Sequence, residues 1–552
     1  ANLHITTLER WCARVLRQHD PATRFLTDPV ALREQAQQAL RLLQEQLQQR
    51  PDPRIELPSE VDMQAFAAFN RAAKKSLLLQ RVQEEGGDLA DFCDNYQLSY
   101  TQARLFAAYE RLRIDHCGDI RYYAEGDCTY ALAQDDAPQL HASYELVLFD
   151  EMHDLDLAAL TVLRKLLQAT QARFLGAGDF NQHIEAQAWS VFKDKLHQLA
   201  DFLPLPTQSL PLTQSRRFGP QIAQAVNQWF AVDMKAPSSR RSTVTRCSYD
   251  AQCMAQLLQA QASIPAAPAQ PVRPLTIILR HAHDAVALEW AIHRAGQSVS
   301  LHGLKPFYQH RDIALLLGLL YAHSMQAADW KSTRCMLGTD ILSAFIDGAL
   351  YFGKGQIRQR SNEEDSDLAT MAAQMQAYPQ AIWRFLIGEQ SLQGGQRNFA
   401  AFGNFLQLPL ALQDNAAQLL QQADIWGLFA ATPMPEQDRA QLRARVQAFI
   451  TAIADMPVAD VLAHVATMAQ RHGKTLRQGS GFAFQLLSIE QAKGQEFDYV
   501  ALPFLEPGRF PAPAEKTTAF LERNRLYVAM TRARQRLWLM ENALRPVQPF
   551  DA

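Results

Sequence analysis

Short apolar runs alternate along this chain with stretches that have the spacing of helices. Five of the runs have the length of strands and lie at 145–149, 172–176, 275–280, 499–504 and 537–540. A helical pattern separates the first two runs, and another is predicted over 284–295 with Gly296 at its C-terminal end. Strands that alternate with helices form parallel sheets, so the pattern predicts an α/β fold. We also predict a short strand over 3–7.

Two long stretches are mainly helical and are predicted to be insertions. Over 29–50, apolar residues recur at helical spacing until Pro51 ends the pattern. This helix falls in the first insertion, predicted over 21–125. The second insertion, over 331–482, is polar and reverses its charge from GKGQIRQR to EEDSD. A Pro/Ala-rich segment at 263–274 is expected to border two lobes.

Composition narrows the class of protein. The chain has 552 residues, enough for three or four domains, and 48% hydrophobic with 20% charged residues is typical of a globular protein. A net charge of -3 gives no overall field for a polyanion, although local basic patches are allowed. The seven cysteines form no CxxC pair, which disfavours a disulfide framework or a zinc ribbon. No apolar run is long enough to span a membrane, and we expect a cytoplasmic protein with reduced thiols.

Two adjacent carboxylates follow the first strand, in the segment FDEMHD at 149–154. At the carboxyl edge of a parallel sheet, Asp150 can hold a magnesium ion while Glu151 activates a water. That arrangement is typical of a nucleotide hydrolase. A solvated acidic turn is the alternative interpretation.

Further polar groups follow the next predicted strands. The segment GAGDFNQ at 176–182 offers glycines for close backbone approach and an amide at Gln182 that can bond a phosphate oxygen. In LTQSRRF at 212–218, the guanidinium groups of Arg216 and Arg217 can bind phosphate oxygens. Taken singly, each segment is also compatible with an ordinary loop or a surface pair.

Two segments near the C-terminus complete a recognisable series: SIEQAKGQEFD at 488–498 and LYVAMTRAR at 526–534. In order and wording, the five segments together resemble motifs II to VI of the UvrD/Rep/PcrA-like superfamily 1A DNA helicases. The segment at 275–313 resembles the second motor lobe of that family. The opening HITTLERW at 4–11 is similar to its early DNA-contacting motif.

This resemblance implies two RecA-like parallel-sheet motor lobes of the P-loop NTPase type, each with a mainly helical inserted subdomain. The first lobe would comprise 1–20 and 126–235 around the insertion 21–125, and the second 240–330 and 483–547 around the insertion 331–482. ATP would bind in the cleft between the lobes.

The resemblance also assigns roles to individual residues. Asp150 would coordinate Mg²⁺ and Glu151 would polarise the attacking water, while Gln182, Arg217 and Arg532 would contact the γ-phosphate of ATP. The remaining implied contacts are to the nucleotide from Arg216, Glu496 and Gly494, and to DNA from Thr7, Trp189, Lys493 and Thr531. Arg216 stands where the family has an aromatic that stacks on adenine, and Glu496 would hold the sugar.

The chain departs from the family pattern at several positions. His153 replaces a glutamine after the acidic pair, and Glu490 replaces a histidine where DNA phosphates are expected. The segment HIEAQAWS at 183–190 lacks the family's Y-x-x-R-G-A continuation. Trp189 in that segment is interpreted either as a base-stacking face or as a core residue.

We find no convincing Walker A loop, G-x-x-x-x-G-K-[ST]. The segment at 348–355 ends in Gly355 where the hydroxyl belongs, and Gly473-Lys474-Thr475 lacks the first glycine because Met468 occupies that position. Since the family places this loop upstream of the motif at 4–11 and the chain does not begin with methionine, we expect an N-terminal piece that was cleaved, omitted or carried by another chain. This polypeptide alone is then expected to hydrolyse ATP poorly.

The sequence therefore predicts an ATP- and Mg²⁺-dependent helicase that moves 3′-to-5′ on single-stranded DNA and separates duplex DNA. A nuclease or a repair or defence protein is a further expected partner, and no membrane is expected. The alternative is a catalytically inactive, helicase-like DNA-binding scaffold or subunit that relies on another chain for the Walker A loop. We favour the motor because Asp150, Glu151, Arg217 and Arg532, if buried together in an empty site, would be costly to desolvate.

Overall fold

The chain divides into two compact units, Ala1–Pro211 and Leu212–Ala552. The computed structural model describes residues 3–58, 61–114, 121–124, 126–135, 137, 139–140, 143–184, 202–249, 253–265, 273–327, 337–354, 362–388, 399–432, 434, 436–478, 481–512, 519–548 and 550. Each unit combines helices with parallel strands, so the predicted α/β class is confirmed. The boundaries predicted for the lobes and their insertions stay a prediction.

Eight helices of the first unit lie in its described part: α1 (Leu8–His19), α2 (Pro29–Gln49), α3 (Met63–Lys75), α4 (Leu78–Glu84), α5 (Leu89–Asn95), α6 (Tyr100–Leu112), α7 (Asp127–Ala133) and α8 (Leu157–Thr170). Asp28 caps α2 by accepting a hydrogen bond from the Val30 amide, and Pro29 occupies the first turn. The helix predicted over 29–50 is therefore confirmed.

The strand predicted over 3–7 is wrong. These residues have no regular structure, and Thr7 instead caps α1 by accepting a hydrogen bond from the Arg10 amide. Leu3 and Ile5 are exposed. A strand needs a neighbouring strand to complete its hydrogen bonds, and within the described residues none pairs with this segment.

The described strands of the first unit form a two-stranded parallel sheet. Strands β1 (Leu146–Phe149) and β2 (Arg173–Gly176) pair from Leu146↔Arg173 to Phe149↔Gly176, and α8 connects them. One face of this sheet packs against Leu160, Leu163 and Leu167 of α8 through Val147, Phe149 and Phe174, whereas Leu148 and Leu175 on the other face are exposed. Both strands agree with the predicted apolar runs.

Four charged side chains join three helices of the first unit. Lys74 of α3 forms ion pairs with Asp127 of α7 and, at 3.1 Å, with Glu110 of α6. Arg113, directly after α6, pairs with Glu110 at 2.8 Å and with Asp127 at 3.2 Å. Lys74, Arg113 and Asp127 are buried. The cluster carries no net charge, which is what allows it to be buried.

The second unit is built on a six-stranded parallel sheet with the order β3-β8-β7-β4-β6-β5. Its strands are β3 (Thr243–Ser248), β4 (Leu275–Leu279), β5 (Val299–His302), β6 (Phe484–Ser488), β7 (Phe497–Leu505) and β8 (Ala533–Glu541). All five residues of β4 are buried, as expected for a central strand. The predicted strands at 275–280, 499–504 and 537–540 are confirmed.

The second unit's described helices include a long series between β5 and β6. Three described helices precede β5: α9 (Pro220–Phe230), α10 (Met254–Ala262) and α11 (Asp284–Arg294). The series between β5 and β6 consists, among the described residues, of α12 (Arg311–Ser324), α13 (Thr339–Lys354), α14 (Asn362–Ala377), α15 (Gln380–Gly388), α16 (Phe399–Leu406), α17 (Ala416–Gln422), α18 (Ile425–Ala430), α19 (Glu436–Ala452) and α20 (Val458–Gln478). After β6 come α21 (Ile489–Ala492) and α22 (Ala519–Met530). A continuous apolar core around α12 and α13 holds the series together. Of the helices described, none is both long and apolar enough to cross a membrane.

Candidate functional site

The acidic pair of the first unit lies in a tight turn at the carboxyl end of β1. Glu151 has a φ of 54°, and the chain then enters a 3₁₀ turn over Met152–Asp154. The Asp150 carboxylate accepts a hydrogen bond from the Glu151 amide at 3.0 Å. A left-handed glutamate costs about 1–3 kcal/mol unless its surroundings hold it. Both carboxylates are exposed and are therefore accessible to a ligand from solvent.

His153 connects this turn to the turn that follows β2. Its ring is buried, and Nδ1 accepts a hydrogen bond from the Asp179 amide at 3.2 Å and lies 3.4 Å from a carboxylate oxygen of Glu151. The His153 carbonyl lies 2.9 Å from Nδ1 of His183. His153, which stands where the family has a glutamine, is thus a positioning residue for the acidic turn.

Main-chain bonds bring the same two turns together. The Ala177 amide donates to the Phe149 carbonyl, and the Met152 amide donates to the Ala177 carbonyl, both at 2.8 Å. A Cβ on Gly178 would lie 3.1 Å from the amide nitrogens of Met152 and His153, so this close approach of the two backbones favours glycine.

Gln182 is held by Asp179 within the second turn. Its side-chain amide donates to Asp179 at 3.1 Å, and its main-chain amide donates to the Asp179 carbonyl at 2.8 Å. Asp179 also accepts hydrogen bonds from Asn181 at 3.0 and 3.1 Å. The structure therefore places Asp150, Glu151 and Gln182 on two turns that are joined through His153 and Asp179. Sequence reasoning noted His153 only as a departure from the family pattern and missed Asp179, although Asp179 stands in the G-D-x-N/Q turn where an aspartate commonly caps local amides.

In the second unit, Arg532 is fully buried after α22. Its guanidinium donates to the carbonyls of Val528 and Gln495 at 3.0 and 3.4 Å and to the Thr531 hydroxyl at 3.1 Å. The Arg532 carbonyl accepts from the Phe497 amide at 2.9 Å. These partners fix Arg532 between α22 and β7.

Arg217 and Glu496, which are far apart in the sequence, bond to each other. Arg217 Nε donates to Glu496 at 2.7 Å, and its Nη1 donates to the Thr531 carbonyl at 3.0 Å. Burial alone would raise the pKa of Glu496, but the hydrogen bond and charge of Arg217, with the charges of Arg534 and Arg532, outweigh it and lower that pKa. Two predicted nucleotide contacts, Arg217 and Arg532, thus both bond Thr531, and a third, Glu496, is joined to them through Arg217.

The expectation that Asp150, Glu151, Arg217 and Arg532 are buried together is wrong. Asp150 and Glu151 are exposed, Arg217 is half-buried, and only Arg532 is inaccessible. The cost of an empty site is small because solvent hydrates the two carboxylates and main-chain carbonyls satisfy the buried arginine. The burial of these four residues therefore does not favour a motor over a scaffold.

The other predicted contacts have varied surroundings. Arg216 is exposed. Gly494 has a φ of 76° in the turn between α21 and β7, which favours glycine. The Thr531 hydroxyl is buried and donates to the Tyr527 carbonyl at 2.9 Å, whereas Lys493 is half-buried and Thr7 is exposed at the start of α1. Trp189 lies outside the described residues.

The first unit offers one exposed carboxylate that fits a magnesium ion. Mg²⁺ is commonly held by one or two carboxylates while phosphates and waters complete its shell. Asp150 meets that requirement, with its second oxygen unengaged by the Glu151 amide. Within the described residues there is no group of three or more His, Cys, Asp or Glu side chains that could hold a metal by itself.

Comparison with known proteins identifies the family. Residues 1–185 match the family model described as the UvrD/REP helicase N-terminal domain, and residues 355–543 match that of the UvrD-like helicase C-terminal domain. A search of curated proteins finds no match. The matches include the acidic turn, the Gln182 turn and the Glu496–Arg532 region, and the chain belongs to the UvrD/Rep/PcrA-like superfamily 1 helicases, with their two-lobe RecA-like fold.

Proposed function

We propose that this protein hydrolyses ATP with Mg²⁺ and uses the energy to move 3′-to-5′ along single-stranded DNA and to separate duplex DNA. The observation that carries the proposal is the hydrogen-bonded pair of turns after β1 and β2, which holds Asp150, Glu151 and Gln182 at one edge of a parallel sheet. The carboxyl edge of such a sheet is where phosphates bind in α/β proteins. Family membership supports ATP as the substrate and also supports the polarity.

The proposed chemistry assigns a task to each side chain. Glu151 accepts a hydrogen bond from the attacking water and increases its nucleophilicity. Gln182 donates to a phosphate oxygen and orients it. Asp150 holds Mg²⁺, which when bound neutralises charge on the phosphates.

The two arginines stabilise the negative charge that develops on the transferred phosphoryl group. Arginines in this role contribute about 10³–10⁵-fold to kcat in other phosphoryl-transfer enzymes. Arg532 is fully buried here and its guanidinium bonds the carbonyls of Val528 and Gln495, so its proposed contact with the phosphoryl group requires the end of α22 to open. Arg217 reaches its position by leaving or sharing Glu496. We propose that Arg216 and Gly494 complete the nucleotide contacts.

We propose that DNA is contacted by Thr7, Trp189, Lys493 and Thr531. Thr531 is only 3% exposed, its hydroxyl bonds within α22 and its carbonyl accepts from Arg217, so its proposed contact with DNA requires the end of α22 to open. Family membership implies DNA as the partner, and a near-neutral net charge places the attraction for phosphates in local patches.

The test compares two glutamates that flank β1. The native gene product and its Glu151→Gln and Glu145→Gln variants are assayed for ATP hydrolysis with and without oligo-dT. Glu151 follows the carboxyl end of β1, whereas the exposed Glu145 precedes the strand at its other end. Loss of general-base assistance typically costs about 10²–10⁴-fold, so we expect Glu151→Gln to lower kcat by at least 100-fold and Glu145→Gln to leave it unchanged.

Polarity is tested on duplexes that carry a single-stranded tail at one end. We expect unwinding of the 3′-tailed duplex and not of the 5′-tailed one. Unwinding of only the 5′-tailed duplex would contradict the proposed direction and leave the motor intact. Full oligo-dT-stimulated hydrolysis in Glu151→Gln would contradict the proposed catalytic site.

A further inference from the structure

The turn that carries Arg217 is joined to the segment 235–242 by main-chain hydrogen bonds. The Ser215 amide donates to the Lys235 carbonyl, and the Lys235 amide donates to the Thr213 carbonyl, both at 2.8 Å. Because the segment 235–242 leads directly into β3, these bonds tie the turn to the edge of the six-stranded sheet.

The same two parts of the chain meet again at Gly219, directly before α9. A Cβ on Gly219 would clash with the Arg240 carbonyl oxygen and would lie 2.9 Å from the Ser242 amide nitrogen, so this close approach of the two backbones favours glycine. The buried Ser242 hydroxyl accepts a hydrogen bond from the Ile222 amide at 3.3 Å. It thereby satisfies one of the main-chain donors that the first turn of a helix leaves without a partner in the helix.

Two side chains bond the main chain of Arg217 itself. The Arg217 amide donates to the Ser215 hydroxyl at 3.2 Å, and the Arg217 carbonyl accepts from the Arg240 guanidinium at 3.0 Å. The next residue, Phe218, is buried. The main chain is thus held on both sides of the Arg217 Cα, whereas the half-buried Arg217 side chain bonds the carboxylate of Glu496.

The proposed catalysis makes different demands on these two parts of Arg217. The guanidinium must leave or share Glu496 to reach a phosphate, but the Cα must stay in place for the guanidinium to reach the right point. Misplacement by about 1 Å can lower a rate by about 10²-fold. A charged donor forms a stronger hydrogen bond than a neutral one, so Arg240 is well suited to hold the carbonyl of Arg217.

We infer that Arg240 and Ser215 are positioning residues for Arg217. They fix its main chain, so that only its side chain moves when the guanidinium passes from Glu496 to a phosphate. Gly219 belongs to the same arrangement because it lets the main chain of Arg240 approach the turn. The inference rests on the role proposed above for Arg217 in ATP hydrolysis.

Steady-state ATP hydrolysis by the native gene product with oligo-dT tests the inference, in the wild type and in an Arg217→Ala background. In the wild type, we expect Arg240→Ala to lower kcat about ten-fold and to change KM by less than about two-fold, because Arg217 is proposed to act on the transition state. In the Arg217→Ala background, the same change should have no further effect on kcat, since Arg240 acts through Arg217.

Two more variants show which property of Arg240 matters. Arg240→Lys keeps a charged donor and should restore kcat to within about three-fold of the wild type. Arg241→Ala, at the neighbouring exposed arginine, is the matched control and should leave kcat unchanged. Thermal midpoints of every variant check that each is folded.

Hydrogen exchange of peptides that cover residues 213–219 measures the main chain directly and does not depend on activity. These peptides should exchange faster in Arg240→Ala and Ser215→Ala than in the wild type or in Arg241→Ala. Unchanged exchange would overturn the inference. Equal lowering of kcat by Arg240→Ala in both backgrounds would also overturn it, because a general loss of structure has that effect.

The same assays separate a failure of this inference from a failure of the proposed function. If Arg217→Ala lowers kcat and Arg240→Ala does not, the inference is wrong and the role proposed for Arg217 stands. If Arg217→Ala leaves kcat unchanged, that role is contradicted and the inference falls with it.

Discussion

Replacement of Asp127 by asparagine tests the buried charge cluster of the first unit. The change keeps the shape of the side chain and removes one negative charge, which leaves Lys74 and Arg113 with Glu110 as their remaining carboxylate. Asp127 is 0% exposed, and it also accepts a hydrogen bond from the Ala124 amide at 2.7 Å. The asparagine oxygen can still accept hydrogen bonds, but the NH₂ group that replaces the other oxygen is a donor and must face at least one of the two cations.

The cost follows from the two charged contacts that are lost. Hydrogen bonds to charged groups contribute about 1.5–3 kcal/mol each, so two give about 3–6 kcal/mol. Removing one partner of a buried ion pair costs about 3–5 kcal/mol, and this range agrees with the sum of the two lost contacts. We therefore expect Asp127→Asn to lower the free energy of opening α3, α6 and α7 by about 3–5 kcal/mol.

Native-state hydrogen exchange measures this effect locally, which matters because a chain of two units need not unfold in one step. Peptides from α3, α6 and α7 should exchange faster in Asp127→Asn, while peptides from the sheet of the second unit serve as an internal reference. Asp91→Asn, at an exposed position of α5, is the matched control and should exchange as the wild type does. Unchanged exchange in α3 and α7 of Asp127→Asn would refute the reasoning.

Two further predictions concern the second unit. Burial raises the pKa of Glu289 to about 8, against a hydrogen bond from the Phe307 amide. The folded state therefore keeps a proton that the unfolded chain releases above its usual pKa of about 4.3, and wild-type stability falls by up to about 1.4 kcal/mol per pH unit as the pH rises from about 5 to 8. Glu289→Gln should remove this slope in urea unfolding, and an equal pH dependence in both proteins would contradict the assignment. The side chains of Arg217 and Glu496 are 26% and 40% exposed, so a double-mutant cycle to alanine should give a coupling free energy below about 1 kcal/mol for the stability of the fold. In contrast, Arg217→Ala should lower kcat for ATP hydrolysis by at least about 10³-fold. If Arg217→Ala changed the stability and left kcat unchanged, Arg217 would be a structural residue and its proposed catalytic role would be contradicted.

The regular elements were predictable where one local pattern decides the structure. The helix at Pro29–Gln49 follows from apolar residues at helical spacing, a capping aspartate and a proline after its end. The run LTIIL at β4 is apolar throughout because both faces of a central strand are buried. The strands β3 (TVTRCS) and β5 (VSLH) carry polar residues and are short, so their sequences do not distinguish them from loops.

The strand wrongly predicted over 3–7 shows the limit of local patterns. Leu3 and Ile5 alternate with polar residues as in a strand, but pairing depends on a second strand that the local sequence does not encode. The pairing of Lys74 with Asp127 spans 53 residues, and that of Arg217 with Glu496 spans 279. In both pairs, the residues around one partner do not indicate where the other partner lies in the sequence. The resemblance to a family could therefore predict roles for Arg217 and Glu496, but it could not predict that they bond to each other.

The two arginines proposed to contact the γ-phosphate differ in how they are held, and the difference bears on their roles. The partners of Arg532 include two main-chain carbonyls and the Thr531 hydroxyl, which no bound anion can replace without opening the end of α22. The shortest bond of Arg217 is instead to the half-exposed carboxylate of Glu496, and a phosphate oxygen could accept the same hydrogen bond with more charge. Arg532 is therefore enclosed until the end of α22 opens, whereas Arg217 can exchange one anion for another. Because Glu496 is itself proposed to hold the nucleotide sugar, arrival of a nucleotide can draw the carboxylate to the sugar and release the guanidinium to the phosphate in one event. The Arg217–Glu496 pair thus links occupancy of the proposed sugar contact to the availability of a catalytic charge.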